Sequence, residues 1–153
     1  MANSFAFAVS MRERLGSLIR TLSIEQLNKI PEGLNNNIAW HLGHIVVSSE
    51  ILCYHKTGTL PEKEIKLADK YRNGTKPESF IEQEEIDYLL SRLMVSLHEI
   101  EVDRANGLFP KIVPYSTHTF GFGLKDMDDV IACCSHHDLL HCGNMMTMRK
   151  LIQ

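Results

Sequence analysis

The stretch that most constrains this chain lies between Asn37 and Gly58. Residues 38–56 carry Ile38, Leu42, Ile45, Val46, Val47, Ile51 and Leu52, and the run ends only at Gly58 and Pro61. Asparagine caps a helix start by accepting from an orphan amide, and a glycine just past the last turn stops a helix. A helix with apolar residues on so many faces has to be enclosed by other elements. The same segment holds Trp40, His41, His44 and His55, so whatever encloses it must also accommodate buried imidazoles.

The enclosing elements are legible as further amphipathic helices. Met11, Leu15, Leu18, Ile19 and Leu22 follow helical spacing over residues 5–22, with Arg12, Glu13 and Arg20 assigned to other faces. Ser23 can cap a short turn through Leu27, before a break at Pro31, Gly33 and Asn35, Asn36 and Asn37. Ser79 and Glu82 have the spacing of a capping box ahead of a third helix to about Glu101. Its stripe is Ile86, Leu89, Leu90, Leu93, Leu97 and Ile100, with Glu84, Glu85 and Asp87 on the solvated face. Asp126, Asp128 and Asp129 suit the start of a fourth helix, and Arg149 and Lys150 suit its end. Its inward stripe reads Val130, Cys133 or Cys134, His137, Leu140 or His141, Asn144, Met148 and Leu151. Residues 58–77 form a connection long enough for a crossover, with a turn at Asn73-Gly74, and residues 106–125 read as irregular or partly extended. The expected fold is all-α: a four-helix bundle with a long crossover, as a single domain over residues 1–153.

Composition supports a soluble, cytoplasmic protein. With 44% hydrophobic and 23% charged residues, a net charge of -3 and no basic run, the chain lacks the electrostatic footprint of a nucleic-acid or anionic-membrane binder. No apolar run approaches the ~20 residues of a membrane span. The N-terminal Met1-Ala2-Asn3-Ser4-Phe5 places no positive charge before its apolar patch, so it makes a poor signal peptide. Cys53, Cys133, Cys134 and Cys142 sit in apolar helical segments and read as reduced, buried thiols.

The chemistry concentrates in Ser135-His136-His137-Asp138-Leu139-Leu140-His141-Cys142-Gly143-Asn144. His137 and His141, four apart, share one face of a helix, where two imidazoles can reach one metal ion. A third ligand is needed. His41 and His44, three apart on the second helix, are both candidates, and spacing does not separate them. His136 points about 100° away from His137 and belongs on the surface. His55, His98 and His118 have no partners at ligand spacing; His118, in the irregular stretch, is able to reach the site mouth but reads as lying off the site. Asp138 next to His137 invites comparison with zinc proteases, whose glutamate is a general base, but aspartate is shorter, so peptidase chemistry is a minor reading. Trp40, Tyr54, Tyr71 and Tyr115 are candidate pocket walls; Met145, Met146 and Met148 read as core or dimer-interface residues.

Ile38-Ala39-Trp40-His41-Leu42-Gly43-His44-Ile45, followed late in the chain by His137-x-x-x-His141-Cys142-Gly143-Asn144, resembles the DinB/YfiT-like superfamily of metal-dependent proteins. Residues 71–77 are similar to the corresponding connection in some bacterial members. The resemblance implies a four-helix bundle whose metal triad falls on His44, His137 and His141. The family's last motif often reads His-x-Gly-Gln; here Asn144 stands at the Gln position, a change beside the ligands. The resemblance also implies a homodimer; from the residues themselves, His41 reads as a neighbour of the site, Asn144 as a residue beside the ligands, and Tyr71 and Arg72 of the long connection as substrate contacts. The implied cofactor is a divalent ion; imidazole suits zinc or nickel, with iron or manganese also compatible. The implied activities include thiol-dependent transfer with bacillithiol, mycothiol or glutathione-like thiols acting on a small-molecule substrate. A non-catalytic metal-binding or structural dimer and a metal-dependent hydrolase are the alternatives.

Overall fold

A computed structural model of the chain describes residues 4–152; the reading of Met1-Ala2-Asn3 as no part of a signal segment lies outside the described residues. The elements are α1 (Ser4–Ile19), α2 (Ile24–Asn28), α3 (Ile38–Glu50), α4 (Ala68–Tyr71), α5 (Gln83–Ala105), a two-stranded hairpin of β1 (Tyr115–Ser116) and β2 (Gly123–Leu124), and α6 (Met127–Leu151). The expected helix through residue 56 forms, but α3 passes at Ile51–His55 into a π-helical turn. Asn37 caps α3 by accepting from the Trp40 amide at 2.8 Å, and Gly58 ends the segment at φ +71, a left-handed conformation that glycine adopts at little cost. Every residue of α3 is buried, as its all-round apolarity requires.

The four long helices pack in the ring α1–α6–α3–α5. Their directions follow from which residues meet. His41 and His44 meet His141 and His137, so α3 and α6 are antiparallel. Glu50 meets Arg92, and Tyr54 meets Asp103, so α3 and α5 run parallel. Parallel neighbours need a connection that travels back the length of the bundle, and residues 56–82 are that crossover. Asn28 gathers the two helix starts: its side chain accepts from Ile81 N–H at 2.7 Å and donates to Ile81 C=O at 2.9 Å, while its own carbonyl accepts from Asn37 at 3.0 Å.

The capping box expected at Ser79–Glu82 does not form. Ile81 is drawn into the core with both its backbone groups taken by Asn28, which keeps residues 79–82 outside the helix. The helix starts at Gln83, and Glu82 makes no side-chain cap. Ser23, by contrast, forms a reciprocal cap with Gln26.

Two readings of helix faces are corrected. Arg12, assigned above to an outer face, is wholly buried. Ala8, Arg12, Leu15 and Ile19 fall at i, i+4, i+7 and i+11, and all four turn inward. The inward face of α6 is centred on Val130, Cys134, Asp138, His141, Met145, Met148 and Ile152, while Leu140, Asn144 and Leu151 are exposed. The two corrections have one cause. Arg12 Nε donates to Asp138 Oδ2 at 2.6 Å, Nη1 donates to Leu93 C=O at 2.9 Å and Ser96 Oγ at 3.1 Å, and Nη2 donates to Ser49 Oγ. All four long helices contribute to this polar layer, α5 through both Leu93 and Ser96, between an apolar cluster containing Leu15, Ile45, Leu93 and Met145 and another containing Tyr54, Ile100, Val130 and Ile131.

Removing one partner of a buried ion pair leaves the other charge uncompensated, which costs about 3–5 kcal/mol. Arg12→Ala is therefore expected to lower stability by that order in urea denaturation. The double variant Arg12→Met with Asp138→Leu is expected to recover much of the loss.

Candidate metal centre

Three histidines from two helices converge near the middle of the α3–α6 seam. His137 and His141 come from successive turns of α6, and His44 faces them from α3. His44 Nε2 lies 3.2 Å from His137 Nε2, and His141 Nε2 lies 3.1 Å from His137 Nε2. Ligand atoms from all three lie within 4.8 Å of one another. Nitrogens bound at about 2.0–2.1 Å to one ion, at angles between octahedral and tetrahedral, stand roughly 2.9–3.4 Å apart. The two short separations fit that range.

The remote nitrogens are also arranged for ligation. A ligating histidine characteristically donates its other N–H to a carbonyl or similar partner, which fixes ring and tautomer. His44 Nδ1 donates to the Tyr71 carbonyl at 2.7 Å, so its Nε2 carries the lone pair, with the Ser48 hydroxyl 3.3 Å away. Trp40 stacks on the His44 ring with 4.7 Å between centroids, and its indole N–H donates to Thr75 Oγ1 at 3.1 Å. His141 Nδ1 lies 2.7 Å from His41 Nδ1. For His141 to offer its Nε2 lone pair, it must donate from Nδ1 to His41, which puts the His41 proton on Nε2, an atom buried without a partner. His41 thus stands behind His141, and His44 occupies the position facing the α6 pair.

Burial keeps all four rings neutral. It pushes His137 down to about 3, His141 to about 2 and His41 to about 4, with neighbouring histidines adding to the shift. It lowers His44 as well, against the hydrogen bond to Tyr71. Neutral imidazole is the form that binds a metal. Asp138, next to His137, turns away into the Arg12 layer; burial pushes its carboxyl up and the guanidinium opposes that.

Local backbone choices deliver the His44 partner. A Cβ at Gly43 would collide with the Tyr71 ring, so only glycine lets that ring lie against α3 with its carbonyl on His44. Tyr71 is held from the other side by a hydrogen bond from its hydroxyl to Glu85. The segment enters through Leu67 at φ +67, a left-handed conformation costing a leucine roughly 1–2 kcal/mol. The π-helical turn widens α3 beside the site, and its Leu52 carbonyl accepts from the Tyr115 hydroxyl at 2.8 Å, tying the hairpin over the cavity.

The histidines open on a cavity of about 530 Å³. Its walls include Trp40, Ile51, Leu52, Tyr115, Leu140 and Asn144, with Lys56 and His118 contributing basic groups. His118, read above as off the site, reaches it because the hairpin folds over α3. Asn144 lines the cavity as an exposed residue. Tyr71 is fully buried and meets the site through its carbonyl; its side chain is not among the cavity walls. Arg72 is exposed, 3.6 Å from Asp69, and is not among the cavity walls, where Asn73 stands instead. Tyr54 is buried in the neighbouring core with its hydroxyl on Asp103, and His136 is exposed as expected.

The DinB superfamily profile matches residues 8–145, a span running from the first turns of α1 to beyond the histidine pair. The chain belongs to the DinB superfamily. No curated protein matches it closely enough to count as a relative. Within this DinB-superfamily chain the two histidine-bearing segments recognised in sequence are the two that the fold brings into contact.

Two outcomes follow. Gly43→Ala should displace Tyr71 and free the His44 ring, lowering zinc affinity by about 10–100-fold in a competition titration while stoichiometry stays the same. In the metal-free protein each depressed histidine pKa lies below its unfolded value near 6.5. The unfolded chain therefore takes up protons first as pH falls, and stability declines steadily below that point. Urea midpoints at pH 7 and pH 5 should show this loss, and His41→Gln should make it shallower.

Proposed function

We propose that the chain is a metal-dependent transferase that joins a low-molecular-weight thiol to an electrophilic small molecule. The single observation that carries this reading is the convergence of His44, His137 and His141 Nε2 atoms at the floor of an open cavity. Three imidazoles leave coordination positions vacant for exogenous groups, as catalytic rather than structural sites do. Zinc or nickel suits the donor set best, with iron or manganese compatible. A divalent ion, when bound, supplies the positive charge that keeps a coordinated thiol deprotonated at neutral pH.

The chain's own residues would do the rest. His41 and the Tyr71 carbonyl hold two of the ligand rings in place. Trp40, Ile51, Leu52 and Leu140 limit water around the sulfur. Lys56 and His118 present donors to an anionic co-substrate, and thiols of the bacillithiol or glutathione kind are anionic. In the reaction the sulfur bonds to the electrophilic carbon, the leaving group departs with its bonding pair, and the thiol proton passes to water. Among the described residues lining the cavity there is no aspartate or glutamate. That favours thiol transfer over hydrolysis, which ordinarily relies on a carboxylate base. The proposal includes a homodimer, for which exposed Met146 and Leu151 on α6 offer apolar surface.

Elemental analysis of untagged protein should find near-stoichiometric metal, lost in His44→Ala and His137→Ala and retained, with weaker affinity, in His41→Ala. The loaded protein should consume monochlorobimane or 1-chloro-2,4-dinitrobenzene only when a thiol is supplied. Thiol-independent cleavage of ester or amide substrates would point to a hydrolase, and bound metal without turnover to a binding protein. A chain that takes up neither zinc, nickel, manganese nor anaerobic ferrous iron would overturn the reading.

A further inference from the structure

A second hollow, of about 350 Å³, lies between the hairpin and the first half of α6. Thr117, Phe120, Phe122, Leu124, Ala132 and Cys133 line it, with Asp129 and His136 completing the wall. Three of these residues, Thr117, Phe120 and Cys133, also line the histidine cavity. The two spaces therefore adjoin at these three residues.

The character of the second space differs from that of the first. Phe120 and Phe122 keep 42% and 62% of their surface exposed, which leaves two aromatic rings on a short hairpin with little of the core to cover them. Asp129, the one carboxylate present, already accepts from Lys125 N–H at 2.9 Å. Cys133 behaves as an apolar wall: burial pushes its thiol up to about 11, so it stays protonated at neutral pH. At the seam the Thr117 hydroxyl is buried without a hydrogen bond of acceptable geometry; the nearby Cys133 thiol offers at most a weak one. A polar atom of a bound molecule would satisfy it there. Engineered apolar cavities of roughly 150 Å³ accept benzene, so a ring with a short linker fits this space and a protein segment does not.

We propose that this hollow is the subsite for the apolar part of the substrate. Its occupant is an aromatic ring or compact branched alkyl group, carried one helical turn from the atom that faces the histidines. The distance follows from α6: Cys133 precedes His137 by four residues, a rise of about 6 Å. The substrate class is accordingly a small amphiphile with an electrophilic or metal-facing head and an apolar tail. The head-group half of this assignment rests on the metal reading above; the tail half rests on the hollow itself.

The test compares acetohydroxamic acid, a chelating head alone, with 3-phenylpropanohydroxamic acid on zinc-loaded protein by calorimetry. The phenyl tail should tighten binding at least tenfold. Phe122→Ala and Ala132→Leu, which alter only the second hollow, should each remove most of that gain and leave acetohydroxamic acid binding unchanged, with melting temperatures confirming that both variants fold. In parallel, benzyl alcohol is titrated into metal-free protein while the methyl resonances of Thr117, Leu124 and Ala132 are followed. Shifts at those methyls support the subsite even if no metal is ever taken up, in which case the metal reading alone has failed. Absence of a tail gain together with absence of methyl shifts overturns the proposal, as does a tail gain that both variants leave intact. If Phe122→Ala instead converts a dimer to a monomer with no effect on either probe, the aromatic rings serve a second copy of the chain and the subsite is overturned.

Discussion

One guanidinium organises this bundle. Arg12 reaches α6 through Asp138, α5 through Ser96 and the Leu93 carbonyl, and α3 through Ser49. A hydrophobic core is tolerant of sliding, because apolar contacts are non-directional. A buried arginine is not tolerant, because each unmatched donor or charge left without a partner is costly. The layer therefore acts as a register pin for four helices at once. Its consequence for the site is direct, since Asp138 follows His137 in the chain. With Asp138 pointed into the layer, His137 is rotated to the edge of the inward face, where it meets His44 rather than the core.

The histidine cluster shows the same logic at smaller scale. Four imidazoles are taken out of water within one region, and burial holds all of them in the neutral form. Neutral rings avoid the repulsion that four charges would bring, and their lone pairs suit a cation. Two of the rings are directed by groups behind them: His44 by the Tyr71 carbonyl and the stacked Trp40, and His141 by the Nδ1 of His41. Glycine at position 43 is the least conspicuous of these supports, and the Tyr71 carbonyl reaches His44 only because position 43 has no Cβ.

Above the cluster, the hairpin and the π-helical turn form part of the cavity wall. The Tyr115 hydroxyl joins them at the Leu52 carbonyl, so the wall over the histidines is anchored on one side and carries exposed aromatic rings on the other. The cavity over the histidines carries Lys56 and His118 and, among the described residues, no aspartate or glutamate, and a largely apolar hollow lies beside it. The DinB superfamily bundle supplies the floor, and the hairpin segment supplies Tyr115, Ser116, Thr117, His118, Thr119 and Phe120 to the wall.

The amino-acid sequence by itself determined the helices, since periodicity and capping depend on neighbours a few positions away. An α3 apolar on every side could only be a central helix, Asn37 and Ser23 could only be helix starts, and the i, i+4 spacing of His137 and His141 put two imidazoles on one face. The choice of His44 over His41 came from resemblance and not from spacing. What tertiary structure alone decided are the relations between distant residues. Arg12 looked like a surface residue until Asp138, 126 positions away, was seen to neutralise it. Asp138 in turn re-centred α6, exposing Asn144 and Leu151 where sequence periodicity had placed them inside. Asn28 overrode a local capping signal by taking both backbone groups of Ile81, and His118 and Phe120 joined the site through a hairpin with no periodic pattern. A buried polar group is allowed only by its partner, and a partner far along the chain is chosen by the fold.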